Sequence, residues 1–132
     1  MRYMLDINIC SYILKRRPLS VKAHFEQVGT SALCTSTVVL AELYYGAARH
    51  PQGHSIRKEI DEFISRLAVM HWDEAAADHY GQIRAAMEKV GTPIGAMDMM
   101  IAAHARSQGT TLVSNNIRHF DKVPGLLIAN WA

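Results

Sequence analysis

Three long stretches of this chain are almost empty of charge, and each holds one carboxylate. Residues 3–14 have Asp6 as their single charged side chain, residues 28–48 have Glu42, and residues 90–105 have Asp98. Charged residues make up 20% of the chain, so at average density the three stretches should carry about ten charges. They carry three, all of one sign. A lone acid in apolar sequence is costly to bury, because no local cation neutralises it. Compensation has to come from outside the local sequence, and a divalent cation is the simplest source.

The rest of the composition sets limits. With 132 residues, 49% of them hydrophobic, and 14 Lys+Arg against 12 Asp+Glu, the chain reads as one globular domain spanning residues 1–132. A disordered chain, a coiled coil and a strongly basic nucleic-acid tail are excluded. The apolar start is broken at Asp6 and soon meets Lys15, Arg16 and Arg17. It is too short for a signal segment or a spanning helix, so no membrane role is expected. Cys10 and Cys34 lie in apolar surroundings without CxxC spacing, which reads as two free core thiols in a reducing cytoplasm. His50 and His54 flank Pro51 and Gly53 and read as part of a loop rather than a helical zinc face.

Short apolar runs alternate with helical patterns along the chain. Strands are expected at residues 2–5, 33–35, 69–71, 111–114 and 127–128. Helices are expected after Asp6, after Pro18 as far as Gly29, after a cap at Ser36 or Thr37, and over 56–67. Two more should follow, one from Asp73 to near Gly91 and one from Ile94 or Gly95 to Gly109, with a helical turn reaching Phe120. Residues 51–55 read as a polar loop. This alternation predicts an α/β fold with a central parallel sheet of four to five short strands flanked by helices. In such sheets the functional crevice lies at the carboxyl ends of the strands. Asp6 falls at the end of the first strand, Asn115 and Asn116 at the end of the fourth, and Asp98 in the first turn of the helix before it.

Each acid has a local explanation: Asp6 as a helix N-cap, Asp98 as a partner of the helix dipole. Glu42, mid-helix between Ala41 and Leu43, has none. A divalent cation accounts for all three together. Mg²⁺ and Mn²⁺ prefer oxygen ligands and are commonly held by one or two carboxylates, water and substrate phosphate. The same ion lowers the pKa of a bound water and stabilises charge on a phosphodiester under attack. Lys15, Arg16, Arg17, Lys22, Arg49 and Arg118 offer phosphate contacts to such a substrate. For the run at 15–17, a solvated helix end is an equally good reading.

The strings YMLDIN, STVVLAELYYGA, GAMDMMIAAHARSQG and LVSNNIRHF, in that order and followed by Trp131, resemble the PIN-domain ribonucleases of the VapC toxin type. The resemblance implies a PIN-like fold, Mg²⁺-dependent RNA cleavage in which Mn²⁺ substitutes, and a homodimer. It also implies a cognate VapB-like antitoxin, and a structured RNA substrate such as a tRNA anticodon stem-loop. Carried over by position, Asp6, Glu42, Asp98 and Asn116 match the family's site residues. Asp6 and Asp98 would ligate the metal, Glu42 would bind it directly or through water, and Asn116 would position a ligand or water.

Two positions depart from the family's pattern. Ile7 stands where a hydroxyl residue is usual, and Ile cannot hydrogen-bond a site carboxylate or water. His119 stands where many relatives carry Glu. These departures raise two further expectations: an attenuated enzyme, or a catalytically impaired subunit that binds antitoxin or RNA. Other acidic-site proteins with doubly wound sheets fit less well. An aspartate-nucleophile phosphatase wants a second Asp where Asn8 stands. A response-regulator receiver wants paired acids near the first strand's end and a Lys near the last strand.

Overall fold

The computed structural model describes residues 2–131. Its five strands are β1 (Tyr3–Leu5), β2 (Leu33–Ser36), β3 (Ala68–Met70), β4 (Thr111–Val113) and β5 (Leu127–Ala129). Met4, Leu5, Leu33, Cys34, Leu112 and Val113 are all buried, as strands covered on both faces require. All pairings are parallel, in the order β3-β2-β1-β4-β5.

The chain therefore walks outward from β1 through β2 to β3, then returns to the other side of β1 for β4 and β5. Seven helices connect the strands: α1 (Ile7–Lys15), α2 (Leu19–Val28), α3 (Thr37–Ala48), α4 (Gly53–Ser65), α5 (Glu74–Lys89), α6 (Ala96–Gln108) and α7 (Ile117–Phe120). The right-handed rule for parallel crossovers assigns α1–α4 to one face and α5–α7 to the other. The reversal lies between β1 and β4, where such sheets open a crevice. Leu5 is level with both Thr35 and Val113, so the chain leaves these strands along one edge at Asp6, Ser36 and Ser114. The Asp6 N–H donates to the Val113 carbonyl at 3.1 Å, and the Thr35 hydroxyl donates to the Leu5 carbonyl at 2.8 Å.

Local capping follows the sequence closely. Ser36, rather than Thr37, caps α3, its Oγ accepting from the Val38 N–H at 3.0 Å. Asp73 caps α5, Gly95 precedes α6, and Gly109 ends it in the left-handed region that favours glycine. Trp131 is buried and packs on the rings of Tyr3 and His24. Cys10 and Cys34 are buried free thiols, and burial pushes the Cys34 thiol up to about 11.

One expected element is different. Residues 51–55 are not an extended loop, because α4 begins at Gly53 and takes in His54. The Gly53 N–H donates to the His50 carbonyl at 3.1 Å, and the Ile56 N–H donates to the Gln52 carbonyl at 3.2 Å. A Cβ on Gly53 would collide with the Ala47 carbonyl, so the missing side chain lets α4 start against the end of α3. Read from composition, Pro51 and Gly53 signal a loop. Here they build a tight corner.

Gly53→Ala should destabilise the protein by about 1–3 kcal/mol through that overlap. Gly46→Ala, in the body of α3 with open space at its Cβ position, should stabilise it by about 0.5–1 kcal/mol. Urea unfolding of both variants checks the opposite signs.

Candidate active site

Asp6 leaves β1 at the sheet reversal and is 5% exposed. It is the N-cap of α1, with Oδ1 accepting from the Ile9 N–H at 2.9 Å. Burial pushes its carboxyl above the ordinary value of 3.8. Hydrogen bonds from the Ile9 N–H, the Ser114 hydroxyl and the Asn8 N–H pull the other way, and the negative charge of Asp98 adds to the rise. Asp6 is thus held firmly in place, with no cation to balance it.

Asp98, in the first turn of α6, faces the same cleft of about 110 Å³, together with Ile7, Asn8, Ile101, Asn116 and Phe120. Its side chain is 32% exposed. One carboxylate oxygen, Oδ2, accepts from His119 Nδ1 at 2.9 Å. Asn116 is placed by the turn after β4, where its N–H donates to Ser114 Oγ at 2.9 Å. Ile7 contributes an apolar wall to the cleft and packs against the core.

Three of the four expected site residues therefore meet in one cleft. Glu42 lies half-buried on α3 and is not part of this lining. The cations are spread more widely. Arg118 is exposed on α7, beside Asn116. Lys15, Arg16 and Arg17 are exposed at the far end of α1, about 13 Å along the helix axis from Asp6. Lys22 is paired with Glu26 at 3.8 Å.

Sequence reasoning misses Ser114 and how the other groups brace the cleft. Ser114 reads as the last residue of a strand, yet its hydroxyl braces both Asp6 and Asn116. Asn115 ties α1 to the β4–α7 turn: Asn8 Nδ2 donates to its Oδ1 at 3.3 Å, and its own Nδ2 donates to the Tyr12 hydroxyl at 2.7 Å. His119 reads as a rim residue, and the structure places it directly on Asp98. The available signal was the run of short polar side chains after an apolar strand, which favours tight turns.

The donor set fits a hard divalent cation. Two carboxylates and the Asn116 side chain line one space, and burial, with a smaller contribution from the Asp98 charge, raises the pKa of Asp6. Among the described residues no three His, Cys, Asp or Glu side chains gather closely enough to hold a metal by themselves. Mg²⁺ is usually held by one or two carboxylates, with water and substrate phosphate completing the shell.

Two acids lining one cleft at the reversal of a parallel sheet define an α/β protein with a candidate divalent-cation site. The family model described as the PIN domain matches residues 3–126. The chain is 44% identical over 131 residues to Ribonuclease VapC2 of Haemophilus influenzae, covering 99% of this chain and 98% of that protein. It is 42% identical over 132 residues to the tRNA(fMet)-specific endonuclease VapC of Shigella flexneri, covering 100% and 99%. Among solved structures, the DNA-bound VapBC of Salmonella typhimurium has a chain that superposes with a TM-score of 0.94 at 41% identity, covering 100% of this chain and 99% of that one. The chain belongs to the PIN-domain family, among the VapC ribonucleases that form the toxin half of VapBC pairs.

The raised pKa of Asp6 makes a signed prediction. A carboxyl whose folded pKa lies above its unfolded value binds more protons in the native state. Stability therefore falls as pH rises from about 3.8 through the folded value. Asp6→Asn keeps the cap and removes the charge. In metal-free buffer the variant should match the wild type in acid and melt at a higher temperature at neutral pH. Asp6→Ala also loses the cap, at about 0.5–2 kcal/mol. Melting curves across pH check both.

Proposed function

We propose that this chain cleaves RNA at the Asp6–Asp98 cleft with a divalent cation, Mg²⁺ or Mn²⁺, and that a VapB-like antitoxin restrains it. The observation that carries the reading is the meeting of Asp6, Asp98 and Asn116 at the sheet reversal, with Asp6 buried and uncompensated. Asp6 and Asp98 would hold the cation, and Glu42 would support it directly or through water. Asn116 orients a water or ligand, since an amide carries no charge to act as a base. When bound, the cation stabilises phosphate charge and acidifies a water. Ser114 and the Ile9 N–H fix the Asp6 carboxylate, so it needs no rearrangement to receive the ion. Arg118 offers a phosphate contact beside the cleft. Lys15, Arg16 and Arg17 serve a more distant part of the substrate.

A structured RNA, with a tRNA stem-loop as the leading candidate, fits both the wide spread of cations and the Shigella flexneri relative named for tRNA(fMet). A homodimer and a cytoplasmic setting complete the reading, the latter resting on the two buried free thiols. Residues 1–132 act as a single PIN-like domain. Ile7 gives the cleft an apolar wall where a hydroxyl would bind a carboxylate or water, which attenuates cleavage. The alternative is an impaired subunit that binds antitoxin or RNA. It is motivated by Ile7 and by the His119 contact on Asp98, and the retained acids count against it.

Asp98→Ala should lower Mg²⁺-dependent cleavage of a tRNA stem-loop at least about 100-fold while the protein stays folded. Ile7→Thr should raise cleavage. Gel assays with Mg²⁺, with Mn²⁺ and with chelator test the set. Metal-independent cleavage, or an active Asp98→Ala protein, rejects the metal assignment. Equal rates for Ile7 and Thr at position 7 reject attenuation. No cleavage by the wild type under any metal supports the binding-subunit alternative.

A further inference from the structure

The corner between α3 and α4 carries a second cavity, remote from the cleft in lining and different in chemistry. It measures about 340 Å³, and Tyr44, His50, Pro51, Gly53, His54 and Arg57 form much of its wall, with no carboxylate in the lining. Arg57 sits over the Tyr44 ring, with its guanidinium carbon 3.6 Å from the centroid. Asp61 locks this pair, accepting from the Tyr44 hydroxyl at 2.7 Å and from Arg57 Nε at 3.2 Å. Arg57 is charge-matched by Asp61 in a half-exposed pair, so it offers the cavity a planar face more than a free cation.

Tyr45 and Arg49 lie outside the lining, but Tyr45 is next in sequence to Tyr44, and Arg49 to Ala48 and His50. Tyr45 is 60% exposed, and the Arg49 guanidinium sits 5.4 Å from its ring centroid. Arg49 has no carboxylate partner among the described residues. His50 Nδ1 accepts from the Gln52 N–H at 3.0 Å, which leaves Nε2 as a donor. An exposed aromatic backed by an unpaired guanidinium, with imidazole donors alongside, matches a nucleobase and its neighbouring phosphate. Ala47 is buried, so the apolar surface next to Tyr45 is limited to Ala48 and Pro51, less than the contiguous patch that marks a protein partner.

Placement relates this corner to Glu42 on the same helix. α3 starts at the carboxyl edge of the sheet. Glu42, Tyr45 and Arg49 follow at i, i+3 and i+7, so they form one stripe along the helix. The stripe runs about 10 Å from Glu42 to Arg49, leading from the third site acid toward the corner.

We propose that Tyr45 and Arg49, with the adjoining cavity, form a second RNA subsite that stacks an unpaired base and holds its phosphate. The subsite rests on the ribonuclease reading. It makes affinity for a looped RNA depend on residues that take no part in the chemistry.

The test uses the full chain and a fluorescent synthetic RNA stem-loop. Binding is measured in chelator so that no cleavage intervenes, and cleavage is measured separately with Mg²⁺. Tyr45→Ala should weaken binding about 10-fold, and Tyr45→Phe, which keeps the ring, should stay within about 2-fold. Arg49→Gln should reduce the salt dependence of binding by about one phosphate contact. In cleavage, Tyr45→Ala should raise KM and leave kcat at saturating RNA nearly unchanged. Equal binding by wild type, Tyr45→Ala and Arg49→Gln overturns the subsite while wild-type cleavage leaves the ribonuclease reading standing. A wild type that binds the RNA but never cleaves it defeats the ribonuclease reading instead. Light scattering supplies the remaining outcome: if Tyr45→Ala changes the oligomeric state, this face is a protein interface and the proposal is wrong.

Discussion

The rest of the site depends on the burial of one carboxylate. Asp6 sits where β1 ends, beneath the N-terminus of α1, and its Oδ1 is fixed by the Ile9 amide at 2.9 Å. That bond makes Asp6 a good helix cap, and the same geometry denies it water. Capping alone is served equally well by Ser or Asn, so charge at this position is a liability unless something else requires it. Asp98 lines the same cleft and its charge adds to the liability, which a divalent cation held there would turn into an attraction. On the proposed function, the cap and the ligand would be one side chain under two demands.

Topology supplies the second demand. Parallel pairing in register makes β1, β2 and β4 end together, so Asp6, Ser36 and Ser114 emerge on one edge. The reversal of the chain between β1 and β4 leaves that edge uncovered by a crossover. Ser114 then braces both Asp6 and the turn bearing Asn116. α6 brings in Asp98 from the other face. The same edge also buries His104, whose Nδ1 meets Ser36 Oγ at 2.8 Å. Burial holds its pKa below the usual imidazole range, so this imidazole is a neutral structural partner of the α3 cap.

Much of this was legible from residue order. Apolar runs too short for helices marked the strands, and Asp73, Gly95 and Gly109 marked helix ends. Lone acids in uncharged sequence marked the cleft, because isolated charge in apolar surroundings is rare without a partner. The rest was hidden for physical reasons. Gly53 looked like a loop residue, since composition cannot reveal that its missing Cβ admits the Ala47 carbonyl. The bracing by Ser114 and Asn115 depends on which turn their side chains close. The contact of His119 with Asp98 joins residues 21 positions apart, a pairing that one sequence does not encode locally. Glu42 belonged to the same charge pattern, but the cleft is lined without it.

The most direct test of the account is calorimetric titration of Mn²⁺ into the metal-free protein, comparing wild type with Asp6→Asn and Asp98→Asn. A saturable site in the wild type that is lost in both variants is the predicted result. Binding that persists unchanged in either variant, or a wild type that binds no divalent cation even with RNA present, would contradict a cleft built by these two carboxylates to hold one.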